Sequence, residues 1–284
     1  MKKTLQDLTI KDNFMFGAVM ADENNCRGLL NLVTDIPIAH IEIRRERSLA
    51  YHPEYRGVRL DVYAQDEHNT KYNVEMQVIP KDSLSKRARY YRSQMDMDLL
   101  VSGDEYETLP DTYVIFICDF DPFGYGYYRY SFKNCCEENP ELDMAEGCRC
   151  IFLNTHGKNP EEVSEALVHF LQYVKADLQE SQGDFQDAFV NQLQDTIRRI
   201  KASRDMEERF MTLEELLKDE RKAAEAKGKT EGKIESILIL LGSRGCISPE
   251  IQRKIHSERD PEVLNRWLAL AAASESVSQF EKEM

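Results

Sequence analysis

Asp61, Glu75 and Gln77 are the residues whose types and spacing suit chemistry. They lie in two runs with strand character, 58–65 and 72–79, joined by the polar stretch Asp66-Glu67-His68-Asn69-Thr70. Strand side chains alternate between faces, so Asp61 shares a face with Arg59 and Tyr63, and Glu75 and Gln77 share one with Asn73. Leu60, Val62, Val74, Met76 and Val78 are apolar and are expected to point the other way, into a core. If residues 66–70 form the turn, Gln65 faces Lys71, and counting back sets Asp61 directly opposite Glu75. Directly opposed Cβ atoms are about 5 Å apart, and like charges there destabilise a sheet. Two carboxylates that close resist joint ionisation. A divalent cation relieves the conflict, because Mg²⁺ or Mn²⁺ takes carboxylate oxygens into an octahedral shell that keeps several waters. Such a site suits metal-assisted hydrolysis of a phosphodiester. Gln77 would project beside the ion to orient water or a phosphate oxygen, but it is neither a base nor a charged electrophile. An ordinary acidic strand face gives the same short pattern, so these three residues alone leave both readings open.

The surrounding pattern supplies elements to position them. Residues 12–34 carry a helical apolar stripe, with a possible break near Asn24. Residues 38–49 alternate as a strand. Leu84, Ala88, Tyr91, Met95 and Leu99 form one stripe of a helix, with Asp82 or Ser83 as its cap and Gly103 as its stop. Residues 112–118 are a continuous apolar run of β-formers, the signature of a strand covered on both faces. Helix, three strands, helix and strand make an α/β layer structure. A Gly- and Tyr-rich stretch follows at 119–131, and 150–153 reads as another strand. Everything after Pro160 reads as helical. Residues 218–235 are dominated by charge, Ala and Gly, as in an exposed helix or hinge. Ser248-Pro249-Glu250 and Asp260-Pro261-Glu262 are two helix starts, with Ile251, Ile255, Leu264, Trp267 and Leu268 as core residues of a small helical unit. The expected division is 1–158 for the core, 159–228 for a helical extension and 229–284 for the terminal unit.

Composition narrows the function. The chain has 284 residues, 42% of them hydrophobic, which suffices for a packed core. No apolar run is long enough for a membrane span, and the amino-terminal residues turn polar at once, so a cytoplasmic location is expected. The seven cysteines form no CxxC pair, and the spacing of Cys135, Cys136, Cys148 and Cys150 matches structural zinc motifs poorly. A net charge of −14 argues against a protein that coats DNA nonspecifically. Yet Lys81, Lys86, Arg87, Arg89 and Arg92 follow the acidic hairpin, and Arg44, Arg45, Arg47, Arg56 and Arg59 precede or open it. The six histidines make no HxxxH or HxH pair, and no phosphate-binding loop, dinucleotide fold motif or nucleophile elbow is present.

Several blocks, in order, resemble the PD-(D/E)XK nuclease family transposases, the recombination-promoting nuclease group. They are Lys11-Asp12-Asn13-Phe14-Met15-Phe16, Gly57-Val58-Arg59-Leu60-Asp61-Val62, Asn73-Val74-Glu75-Met76-Gln77, Lys86-Arg87-Ala88-Arg89-Tyr90-Tyr91, Phe152-Leu153-Asn154-Thr155 and Glu231-Gly232-Lys233. The resemblance implies a restriction-endonuclease-like core and a metal-dependent DNA endonuclease tied to recombination or mobile elements. It implies Asp61, Glu75 and the Met76 backbone carbonyl as ligands of Mg²⁺ or Mn²⁺, with Gln77 at the place usually held by Lys. Arg87, Lys86 and Arg59 would meet DNA phosphate, with Lys71 or Lys81 as replacements for the missing lysine charge. Leu60 stands where the family name has Pro, which is not a ligand. DNA is the implied partner, with a homodimer through the C-terminal helices and no membrane. The rival reading is a catalytically idle nuclease fold that binds DNA or protein.

Overall fold

The computed structural model describes residues 3–49 and 58–284, with backbone alone at 44–49 and 58–59. Asn13–Val19 (α1) and Glu23–Thr34 (α2) are separate helices, because Asp22 caps the second by accepting from the amides of Asn24 and Asn25. Then come strands Ile41–Leu49 (β1), Val58–Asp66 (β2) and Lys71–Gln77 (β3), and helix Leu84–Leu99 (α3). Strands Thr112–Cys118 (β4), Arg129–Phe132 (β5) and Cys148–Asn154 (β6) complete one sheet of order β1-β2-β3-β4-β6-β5. β2 pairs antiparallel with both β1 and β3, β3, β4 and β6 run parallel, and β5 pairs antiparallel with β6.

The sheet has a core on each side. Val62, Val74, Met76, Ile115, Ile117, Ile151 and Leu153 pack with α1, α2 and the helices Glu165–Lys175 (α4) and Ala188–Lys201 (α5). On the opposite side Tyr63, Val114, Phe116 and Phe152 meet Leu84, Ala88, Tyr91 and Met95 of α3. The apolar stripe of α3 is thus buried against the sheet as its spacing predicts. Ser83 occupies the N-cap as expected, in a left-handed conformation and without a capping side-chain bond, while the helix stops at Leu99, before Gly103.

Residues up to Phe210 form one compact unit and residues from Met211 form another. The 39-residue helix Arg204–Gly242 (α6) begins in the first and ends in the second. In the second unit Pro249–Ser257 (α7), Pro261–Ala273 (α8) and Val277–Glu283 (α9) surround Ile237, Leu241, Ile255, Leu264, Trp267 and Phe280. The Ser248 and Asp260 side chains accept from Ile251 and Glu262 amides, so both Pro-marked helix starts form. Among the described residues no helix is long and apolar enough to cross a membrane.

Candidate nuclease site

The β2–β3 turn fixes the site. Asp66 Oδ1 accepts from the His68 and Thr70 amides at 2.9 and 2.8 Å, and Oδ2 accepts from the Tyr72 hydroxyl at 2.8 Å. This buried carboxylate sets the register Gln65↔Lys71, Ala64↔Tyr72, Tyr63↔Asn73 and Val62↔Val74. One step further lie Asp61 and Glu75, where side chains enter the backbone pattern. The Asp61 amide donates to Glu75 Oε1 at 3.2 Å, and the Met76 amide donates to Asp61 Oδ2 at 3.3 Å. Each carboxylate is held by the other strand's backbone, and the two converge.

Their surroundings correct part of the sequence reading. The acid-bearing side of the hairpin is not an open surface. It lies under α3, and Asn73, Glu75 and Gln77 are all buried, Glu75 to 1% exposure. Asp61 is half-buried at the margin. Leu60 packs with Tyr63 and the α3 residues rather than with Val62, so strict alternation fails just before Asp61. Val78 lies beyond the end of β3 and is 38% exposed, not in the core.

Burial and the Asp61 charge push the Glu75 carboxyl above the ordinary carboxylate range, against the pull of Arg87. Arg87 reaches in from α3. Its Nη2 donates to Glu75 Oε2 at 2.7 Å, Nη1 to Gln77 Oε1 at 2.6 Å, and Nε to the Tyr91 hydroxyl at 2.7 Å. Its guanidinium also lies over the rings of Tyr91 and Phe116, 4.9 and 5.3 Å from their centroids. Arg87 is therefore turned toward Glu75 and Gln77. Gln77 is also engaged at both ends, because its Nε2 donates to the Ile79 carbonyl at 2.6 Å.

The remaining basic candidates scatter. Lys86 is exposed on α3, while the Arg59 side chain lies outside the described residues, as do those of Arg44, Arg45, Arg47 and Arg56. Lys71 donates to Gln65 and Asn69 at the turn, the far end of β3 from Gln77. Lys81 is exposed beyond the strand. Sequence reasoning missed the Arg87–Glu75–Gln77 contact. The signal available was Arg87 four residues before Tyr91, one helical turn along the buried stripe.

The donor set fits a hard divalent cation. Two carboxylates converge, and among the described residues no group of three or more His, Cys, Asp or Glu side chains joins them. That suits a cation held by one or two carboxylates plus water. In a strand, a residue's N–H and C=O point to the same side. The Met76 amide meets Asp61, so its carbonyl faces the same margin.

A mixed α/β sheet protein with opposed carboxylates on neighbouring strands is consistent with a PD-(D/E)XK nuclease-like fold. The chain belongs to the PD-(D/E)XK nuclease family transposases, whose family model matches residues 10–227. Membership places it with nucleases linked to mobile elements, a group whose members generally use divalent metal ions. No curated protein and no solved structure matches the chain.

Proposed function

We propose that the protein is a metal-dependent DNA endonuclease whose site is Asp61, Glu75 and the Met76 carbonyl, on a restriction-endonuclease-like core. The observation that carries this reading is the convergence of Asp61 and Glu75, with Glu75 buried and its charge disfavoured. Such a pair is costly in a merely structural strand and useful as a cation cradle. A bound Mg²⁺ or Mn²⁺ supplies Lewis-acid charge at the phosphoryl group and makes water acidic enough to attack at neutral pH.

The protein's own residues do the rest. The backbone amides of Asp61 and Met76 orient one oxygen of each carboxylate, and Arg87 holds the other oxygen of Glu75. Lys86, exposed on α3, would meet a neighbouring phosphate, as would Arg59, two residues before Asp61 on β2. In the hydrolysis a P–O bond forms to water and the P–O bond to the sugar oxygen breaks. The water proton ends on the released alcohol. Two copies meeting through the C-terminal helices would bring two such sites to a duplex.

The test is nicking of supercoiled plasmid in Mg²⁺ or Mn²⁺, for the wild type beside Asp61→Ala and Glu75→Ala. Metal-dependent nicking that both substitutions reduce by about 100-fold or more is expected. Wild type and variants equally inert, yet retaining DNA in a gel shift, would replace this reading with a binding module. The neutral Gln77 is what favours that second reading.

A further inference from the structure

We infer that Arg87 is the built-in cation of the site, supplying the positive charge that Gln77 cannot. The inference rests on the nuclease reading and names the group that faces the phosphate within it. A phosphoryl group under attack gains negative charge, and a neutral amide offers it only a hydrogen bond. A cation is needed near Gln77, and among the described residues the guanidinium of Arg87 fills that place.

Three observations support the assignment. The guanidinium touches both Glu75 and Gln77, at 2.7 and 2.6 Å. It is fixed by the Tyr91 hydroxyl and lies over two aromatic rings. Its side chain nevertheless keeps 29% exposure while Glu75 keeps 1%, so it forms the solvent-side margin of the buried acid. Lys71 and Lys81 are excluded by position, the first tied at the turn and the second outside the strand.

The identity of residue 77 then has a physical reason. Gln77 Oε1 accepts from Arg87 Nη1, and its own Nε2 is anchored on the Ile79 carbonyl. A lysine here would have no lone pair to accept that bond and would set like charges side by side. Gln77 and Arg87 thus belong together, the amide positioning the guanidinium. The usual lysine charge has been moved from the strand to the helix. A planar guanidinium also matches two phosphate oxygens, which an ammonium does not.

The test compares wild type, Arg87→Gln, Arg87→Lys and the double variant Gln77→Lys/Arg87→Gln in plasmid turnover, Mn²⁺ titration calorimetry and melting temperature. Arg87→Gln is expected to lower turnover by about 100-fold. It should bind Mn²⁺ about threefold or more tightly, since a competing positive charge has gone. Arg87→Lys should keep turnover within about tenfold of wild type, and the double variant should regain about tenfold over Arg87→Gln. The inference is overturned if Arg87→Lys is as slow as Arg87→Gln with melting temperatures equally lowered, or if the double variant regains nothing. It is equally overturned if Arg87→Gln weakens Mn²⁺ binding. A wild type that binds Mn²⁺ and cuts nothing would sink the nuclease reading, while the affinity comparison would still decide for or against Arg87.

Discussion

At the scale of single residues, the acidic pair sets function against stability. Glu75 carries a raised carboxyl because it is buried and because Asp61 faces it. The folded protein therefore holds a proton that the unfolded chain releases. For such a group, stability is greatest below the ordinary carboxylate value and falls as pH rises through about 8. Asp61→Asn removes the facing charge while its amide oxygen can still accept from Met76. The metal-free variant should be more stable than wild type at a pH near 8, by about 0.5–1 kcal/mol, or about 1–4 °C in melting temperature. At a pH near 5 Glu75 is protonated and the gain should vanish. Mn²⁺ should raise the melting temperature of the wild type, because a ligand bound only to the folded state stabilises it, and the same substitution should abolish that shift. Melting curves at the two pH values, with and without Mn²⁺, check all three outcomes. A variant as stable as wild type at both pH values would mean that the two carboxylates do not interact.

At the scale of elements, the turn holds the geometry of the acidic pair at a distance. Asp66 is buried, and its carboxylate accepts from two turn amides and the Tyr72 hydroxyl. Asp66→Ala leaves those donors short of partners and should cost about 2–3 kcal/mol, read as a lower urea midpoint. Because a slip by one residue turns every side chain of a strand over, nicking should fall more steeply than stability. The adjacent Glu67 braces the same turn against the segment before β1, accepting from the Ala39 and His40 amides at 2.9 and 3.1 Å. Those bonds hold its carboxyl down to about 2. Its contribution is present above the ordinary carboxylate range and is lost as pH falls toward about 2, so Glu67→Gln should flatten acid unfolding over that window.

This hairpin was legible in the sequence because a polar turn and period-two alternation are local signals, and they sufficed to oppose Asp61 and Glu75. The stripe of α3 and the doubly covered β4 were legible for the same reason. What covers the acids was not. Alternation says which residues share a side, but the arrival of α3 on that side depends on the β3–α3–β4 crossover. The Arg87 contacts span 10 and 12 residues and appear in no local pattern. Val78 was misassigned because alternation continues past the point where the strand loses its partners.

At the scale of the whole molecule, the two units are built on separate cores. The large cluster of the first unit ends with Phe210, and the core of the second begins at Ile234. Between them α6 carries mostly exposed side chains, several in i,i+4 ion pairs such as Lys229–Glu225. Exposed pairs of that kind contribute little to stability. With each core closed on its own residues and α6 mostly exposed between them, unfolding should not be a single concerted step. The chain offers a built-in reporter. Its single tryptophan, Trp267, is buried in the second core among Ile255, Leu264 and Phe280. Tryptophan fluorescence in urea should therefore follow the second unit alone, while far-ultraviolet circular dichroism follows both. Asp66→Ala, which lies in the first unit, should shift the dichroism midpoint downward and leave the Trp267 midpoint in place. Both probes moving together by the same amount would show that α6 transmits stability along its length. The two units would then unfold as one cooperative body, and the nuclease core could not be studied apart from its C-terminal helices.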